Sequence, residues 1–517
     1  MLFNSYSFLF LFLPISLALF YALIRLGLRR YIFIYLAACS MVFYGISTPK
    51  SALLITLSIV LNYYAGVLIE RHAKTPLSGR ILVGAILADV AMLAYFKYAN
   101  FFVDNANLLL GTDYNLSKLF LPLAISFYTF QQIAYLMDVR RGEVQSQGLM
   151  KYATFVLFFP QLIAGPIVHY NEMMPDFFGR KLARFASANI LIGLTIFALG
   201  LFKKTVIAAT AGLYASPVFE QAQTVGRVDI AQAWMAGITY TIQLYFDFSG
   251  YSDMAVGLAR MFGIRLPPNF HSPLRAASIA DYWRRWHITL QHFIVSYMFQ
   301  PLVLPLARFA AERRLGKTAS FYVTVVAPTF TAFVVVGLWH GAGWTFILFG
   351  ALHGFYLSVN EYWQQRQRKV RRQKGPPGRL NILGYRLLTL FAVIFANVLF
   401  RSPSVGDAVT IWRGMFDLAS IDQLAAVFPT DLAQAVQKPL LFALVFFAVI
   451  EFMPNTQQFM ARYEPVRDWQ RWRKIAPPVI SLTWRPTLGW IAATTAILFL
   501  AVSWIARGQA DFIYFNF

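Results

Sequence analysis

Apolar residues along this chain come in long runs rather than in alternation. Tyr6–Ile24, Tyr31–Ser47, Ala52–Ile69, Ile81–Phe96 and Leu119–Met137 are each almost unbroken. A helix needs roughly 20 such residues to cross a bilayer. Basic residues fill alternate gaps. Arg25, Arg29 and Arg30 follow the first run, Arg71, His72, Lys74 and Arg80 the third, and Arg140 and Arg141 the fifth. Lys and Arg collect in cytoplasmic loops, so five successive runs agree on one orientation with the N-terminus outside. The first run has no basic leader and no small-residue cleavage site, which predicts a retained span.

The middle of the chain is less regular. Tyr152–Ile167 contains Pro160, Gly165 and Pro166, and proline removes a helical hydrogen bond, so a kinked or re-entrant segment buried in protein is expected. Ile190–Leu201 reads as a plain span capped by Lys203 and Lys204, and Ile230–Tyr245 as another. Ala280–Phe299 is amphipathic and basic at its start; it is expected to lie on the membrane or dip into it. Phe321–Val336 and Thr345–Leu352 flank a glycine-rich stretch, and Leu383–Phe400, Leu440–Phe452 and Leu488–Ile505 complete the set. The pattern predicts an all-α, polytopic membrane protein of roughly eleven spans plus re-entrant pieces. We expect one membrane domain over residues 1–517, basic cytoplasmic loops at 367–379 and 462–486, and an extracytoplasmic tail at 507–517. No internal repeat of the transporter kind is evident.

Composition agrees with the pattern. Only 13% of residues are charged, against about 25% in soluble domains. The net charge of +22 suits basic loops between spans better than nucleic-acid binding, and membrane lipid is the expected contact. Cys39 is the only cysteine, so an intrachain disulfide and a cysteine metal site are excluded.

Candidate chemistry centres on Gly337-Leu338-Trp339-His340-Gly341-Ala342-Gly343. A histidine among apolar residues at membrane depth is costly and therefore a functional candidate. The glycines beside it permit close approach of backbone or ligand. Four of the seven histidines, His287, His292, His340 and His353, fall within this third of the chain; no HExxH spacing accompanies them, so no metal site is expected. Asp247 and Asp253, in Tyr245–Asp253, are either an acid/base pair or structural carboxylates that cap helices or pair with nearby arginines. Trp283-Arg284-Arg285-Trp286-His287 is either an interfacial anchor or a docking point for phosphates. The end of the chain, Asp511-Phe512-Ile513-Tyr514-Phe515-Asn516-Phe517, is either an aromatic anchor or an acyl acceptor, since a tyrosine hydroxyl attacks a carbonyl when a base is within reach.

With Leu121–Gln132, Phe159–Pro166, Tyr245–Asp253, Trp283–His287 and Gly337–Gly343, the chain resembles the membrane-bound O-acyltransferase superfamily, in particular its bacterial alginate O-acetylation branch, over nearly its whole length. The resemblance implies a helical fold around a central funnel and acetyl transfer from acetyl-coenzyme A, with no bound cofactor. It implies catalytic roles for His340 and His287, and Phe512, Tyr514 and Phe517 match a C-terminal signature in which Tyr514 accepts the acyl group. It further implies donor contacts at Arg284, Arg285, Trp283 and Trp339, a bacterial inner-membrane location, a periplasmic SGNH-type transferase partner and a polysaccharide synthase complex. One departure stands out: Gln291-His292-Phe293-Ile294-Val295-Ser296-Tyr297 lacks the Arg-Asp pair of that branch, which leaves the acetylated polymer open. On the residues alone, a polysaccharide or lipid-linked sugar transporter and a non-catalytic membrane scaffold also remain.

Overall fold

The computed structural model describes residues 1–46, 48–178, 186–374, 378–420, 431–506 and 513, with the side chains of 178, 186, 368–374 and 431–436 outside the description. The end of the chain expected to carry chemistry, including Phe512, Tyr514 and Phe517, therefore lies outside the described residues, apart from Ile513. So do the side chains of most of the basic stretch 367–379.

The described chain is helical, and its only strand-like pairing is one bridge. Among the described residues, eight helices are long and apolar enough to cross a membrane. They are α1 (Phe8–Arg25), α3 (Pro49–Arg71), α4 (Pro76–Leu110), α9 (Ser187–Thr224), α12 (Ile288–Glu312), α13 (Lys317–His340), α15 (Arg379–Arg401) and α18 (Leu488–Ile505). Between them lie α2 (Ile32–Gly45), α5 (Ile125–Arg141), α6 (Leu149–Leu157), α7 (Phe159–Leu162), α8 (Tyr170–Phe178), α10 (Ile230–Met261), α11 (Ile279–Arg285), α14 (Trp344–Lys374), α16 (Val405–Met415) and α17 (Asp431–Phe452). By length and composition, the described residues thus hold eight of the roughly eleven expected spans. The apolar runs around α2 and α5 form helices of only 14 and 17 residues, and α5 is buried along most of its length. The α5 side chains pack the interior, whereas α2 leaves Ile34 and Val42 about half exposed.

Two further expectations change. Ala280–Phe299 is not one surface helix: the chain breaks at His287, and Ile288–Glu312 then runs on as a span. Lys203 and Lys204 do not cap a helix. They sit inside α9, in a π-helical turn over Lys203–Ala208, and point into the protein. The interrupted segment 152–167 behaves as expected: α6 and α7 are short, meet at Phe158, and are buried throughout Tyr152–Leu162.

Glycines set the closest helix contacts. Across α13 and α14, a Cβ on Gly350 would fall 2.1 Å from the carbonyl oxygen of Phe333, and one on Gly337 would fall 2.2 Å from that of Phe346. The two helices therefore touch backbone to backbone, as small residues allow in membranes. Both neighbouring atoms are main chain and cannot rotate away. Gly350→Ala is expected to destabilise the protein by about 1–3 kcal/mol, read as a lower thermal midpoint in detergent; an unchanged midpoint would show that the hairpin tolerates separation.

Candidate active site

His340 is the last residue of α13, and its place there is fixed from both sides. Gly341 follows in an extended conformation, and a Cβ on it would lie 2.3 Å from the Phe346 ring, so the glycine lets the chain turn tightly against α14. On the other side, α4 reaches across. The Tyr98 hydroxyl donates to the Leu338 carbonyl at 2.7 Å. The Lys97 ammonium donates to the Trp339 carbonyl and, at 3.3 Å, to that of His340. The last carbonyls of a helix have no partner within it, and a cation there complements the helix dipole. Two adjacent residues of α4 thus secure the turn that carries the imidazole.

The His340 ring is buried, with Trp339, Phe400 and Phe349 at centroid distances of 4.9, 5.0 and 6.1 Å. It borders a cavity of about 180 Å³ whose wall includes Thr48, Lys97, Leu121, Ser126, Ile163 and Trp339. Lys97 lies 3.4 Å from the Ser126 hydroxyl in that wall. Sequence reading missed Lys97. The available signal was a cation one residue past the run Ile81–Phe96, where membrane depth makes any charge a candidate.

His287 is held by a different device. The extended segment around Asn269–His271 pairs with residues 285–288: His271 N–H donates to Arg285 O at 3.0 Å, Ile288 N–H donates to Asn269 O at 3.0 Å, and Phe270 bridges Trp286. This brings the Asn269 carboxamide to 3.1 Å from His287 Nδ1. The same oxygen accepts from the Thr289 hydroxyl at 2.9 Å, and that hydroxyl accepts from Ile167 N–H at 2.9 Å. With Oδ1 acting as acceptor, His287 Nδ1 carries the proton and Nε2 has the lone pair. His287 itself has φ +45°, a strained backbone of the kind that persists where the surroundings enforce it.

Trp339 joins the two histidines. Its ring lies 6.0 Å from His287 and stacks on Phe130 at 5.4 Å, which stacks on Phe293 at 4.3 Å. Phe248 closes the other side of His287 at 4.8 Å. Trp339 therefore fits a wall position between the histidines. Beyond this layer, towards the end that carries Arg265, Arg275, Arg467 and Arg471, lie three more cavities. One of about 500 Å³ and one of about 460 Å³ share Arg284, and one of about 160 Å³ is bordered by His169, His292, Arg467 and Arg471.

The remaining candidates separate. Arg285 is held by Asp281 through two bonds of 2.9 and 2.6 Å, whereas Arg284 is exposed at the mouths of two cavities. The Trp283 indole N–H donates to His353 Nδ1 at 3.1 Å; His353 is buried, and this bond occupies it as an acceptor. Asp247 and Asp253 do not form an acid/base pair. Each is matched to a lysine, Asp247 to Lys204 at 2.5 Å and Asp253 to Lys203 at 2.6 Å, and a carboxylate with a buried ammonium partner serves structure first. His271 is also structural: its Nε2 lies 2.8 Å from Ile475 O, and burial pushes its pKa down to about 4.

The fold and site define a multi-span helical membrane protein with two buried histidines behind one tryptophan, one of them bordering a cavity. Residues 140–400 match the model of the membrane-bound O-acyltransferase family. The chain is 33% identical to the "Peptidoglycan O-acetyltransferase" of Helicobacter pylori, covering 100% of this chain and 98% of that protein. It is 36% identical to the "Probable alginate O-acetylase AlgI" of Pseudomonas aeruginosa, with 81% and 76% covered. It is 33% identical to the protein of the same name from Pseudomonas putida, with 100% of each covered. The chain belongs to the membrane-bound O-acyltransferase family and is a multi-pass membrane O-acyltransferase.

Proposed function

We propose that this protein transfers acetyl groups from cytoplasmic acetyl-coenzyme A, across a bacterial inner membrane, for O-acetylation of an exported polysaccharide. The observation that carries the reading is the layer Trp339–His340–His287, with a cavity at His340 on one side and arginine-bordered cavities on the other. Basic loops face the cytoplasm, so the arginine side receives the donor and the His340 cavity belongs to the acceptor side. The relatives named for peptidoglycan and alginate acetylation support a polysaccharide as the final acceptor.

In this mechanism Arg284 contacts the donor phosphates. The Tyr514 hydroxyl attacks the thioester carbonyl while His340 removes its proton. His287, with its proton on Nδ1 directed at Asn269, turns Nε2 towards the layer and orients the reacting groups. Collapse of the tetrahedral intermediate breaks the carbon–sulfur bond. The thiolate of coenzyme A takes up a proton and leaves to the cytoplasm, and the acetyl group stays as a tyrosyl ester. A periplasmic SGNH-type transferase, working with a polysaccharide synthase complex, then moves it to polymer.

Intact-mass analysis of purified protein incubated with acetyl-coenzyme A tests this. One added acetyl group on the C-terminal peptide is expected; a bare peptide despite thiol release would remove the carrier step. Lys97→Met gives a second test. It deletes two charged hydrogen bonds to the His340 turn, and acetylation is expected to fall roughly 10–100-fold, with partial recovery in Lys97→Arg. Equal activity of Lys97→Met and native protein would show that the turn holds itself.

A further inference from the structure

We infer that the buried Lys204–Asp247 pair is the anchor for the C-terminal tail, holding it in the protein interior. The observation is one bond from the tail to this pair. Ile513 N–H donates to Asp247 Oδ2 at 3.0 Å, while Asp247 Oδ1 takes the Lys204 ammonium at 2.5 Å. One carboxylate thus spends one oxygen on the scaffold and the other on the tail. Ile513 is half-buried and packs against the core. At this one described residue the tail packs against the protein.

The local structure is built for it. A π-helical turn over Lys203–Ala208 adds a residue to the turn of α9, and such turns recur at functional sites. It lets two consecutive lysines serve two carboxylates six positions apart on α10, which are about 9 Å apart along that helix. The two ion pairs differ in what else they hold. Asp253 is satisfied by Lys203, Thr456 and Gln457. Asp247 is the one that reaches Ile513. The same turn also grips the last span, since Thr205 donates to the Ala501 carbonyl at 3.1 Å. Both the final helix, at Ala501, and Ile513 are therefore tied to groups at one turn of α9. Asp247 also directly precedes Phe248, the ring against His287, so the anchor sits one residue from the histidine layer. Its consequence for activity rests on the reading of Tyr514 as acyl acceptor: the residue before Tyr514 is pinned, and Asp247 and Lys204 are positioning residues.

The test is thiol labelling of Ile513→Cys in a Cys39→Ser background, in native membranes, with a small maleimide. In the otherwise native protein the thiol reacts slowly. In Lys204→Met/Asp247→Leu, which removes both charges together, labelling is expected to speed up roughly tenfold or more, the scale of one lost charged hydrogen bond. Lys203→Met/Asp253→Leu is the control, because it deletes the sister pair and leaves the Ile513–Asp247 bond in place; its labelling stays at the native rate. Equal rates in all three proteins, or the same acceleration in both pair deletions, would overturn the anchor. Ile513→Pro, which removes the donor and leaves the ion pair whole, should lower acetylation while Ile513→Val does not. If labelling responds as expected but acetylation persists in Ile513→Pro and in Tyr514→Phe, the anchor stands and the carrier reading fails.

Discussion

Replacing His340 with alanine is expected to lower polysaccharide acetylation by roughly 10²–10⁴-fold, the usual worth of a positioned general base, with the protein still in the membrane at its normal level. The separation of these two outcomes follows from how the residue is held. The turn carrying His340 is fastened by its backbone, through the carbonyls that accept from Tyr98 and Lys97, and by the fit of Gly341 against Phe346. None of those contacts uses the imidazole. The ring borders a cavity on one side, so its removal enlarges existing space instead of opening a void in a sealed core. Acetyl ester content of the polymer and immunoblotting of washed membranes, measured together, decide the matter. Native acetyl content in His340→Ala would end the role of this residue as base. Loss of the protein from the membrane would show that the ring is structural after all.

The sequence disclosed the parts of this site that are local. Trp339-His340-Gly341 is a contiguous signal, and the prolines of 152–167 announce a broken segment before any contact is known. What stayed hidden depends on residues distant in sequence. Lys97 meets His340 across 243 positions, and within its own run it looks like a charge at the edge of a span. Lys203 and Lys204 look like the end of an apolar run because only the fold brings Asp253 and Asp247 to them. The span Ile288–Glu312 was obscured by its start: the break at His287 comes from pairing with Asn269–His271, and no periodicity encodes a partner strand. Span counting from hydrophobicity alone is limited for a related reason. Hydrophobicity says that a segment avoids water, and a short helix such as α5 satisfies that by burial in protein as well as lipid would.

Tyr514→Phe is expected to abolish polymer acetylation as completely as His340→Ala, and for a different reason. The variant removes one oxygen and leaves an aromatic side chain of nearly the same size, so its effect isolates the nucleophile. In the proposed mechanism no other group receives the acetyl unit from coenzyme A, and the whole flux passes through this hydroxyl. The two variants are then distinguished by what they leave behind. His340→Ala retains the acceptor but leaves it protonated, so slow acetylation of the C-terminal peptide should return at high pH, where a phenol of pKa about 10 ionises without a base. Tyr514→Phe should show no adduct at any pH. Anchoring at Asp247 predicts a further difference: deletion of the Lys204–Asp247 pair keeps both hydroxyl and base but loses their alignment. Its adduct should form slowly at every pH, without the recovery expected of His340→Ala. Normal acetyl content in Tyr514→Phe would mean that His340 activates an acceptor arriving from outside, and the cavity bordered by Lys97 and Ser126 would then be where that acceptor's hydroxyl enters.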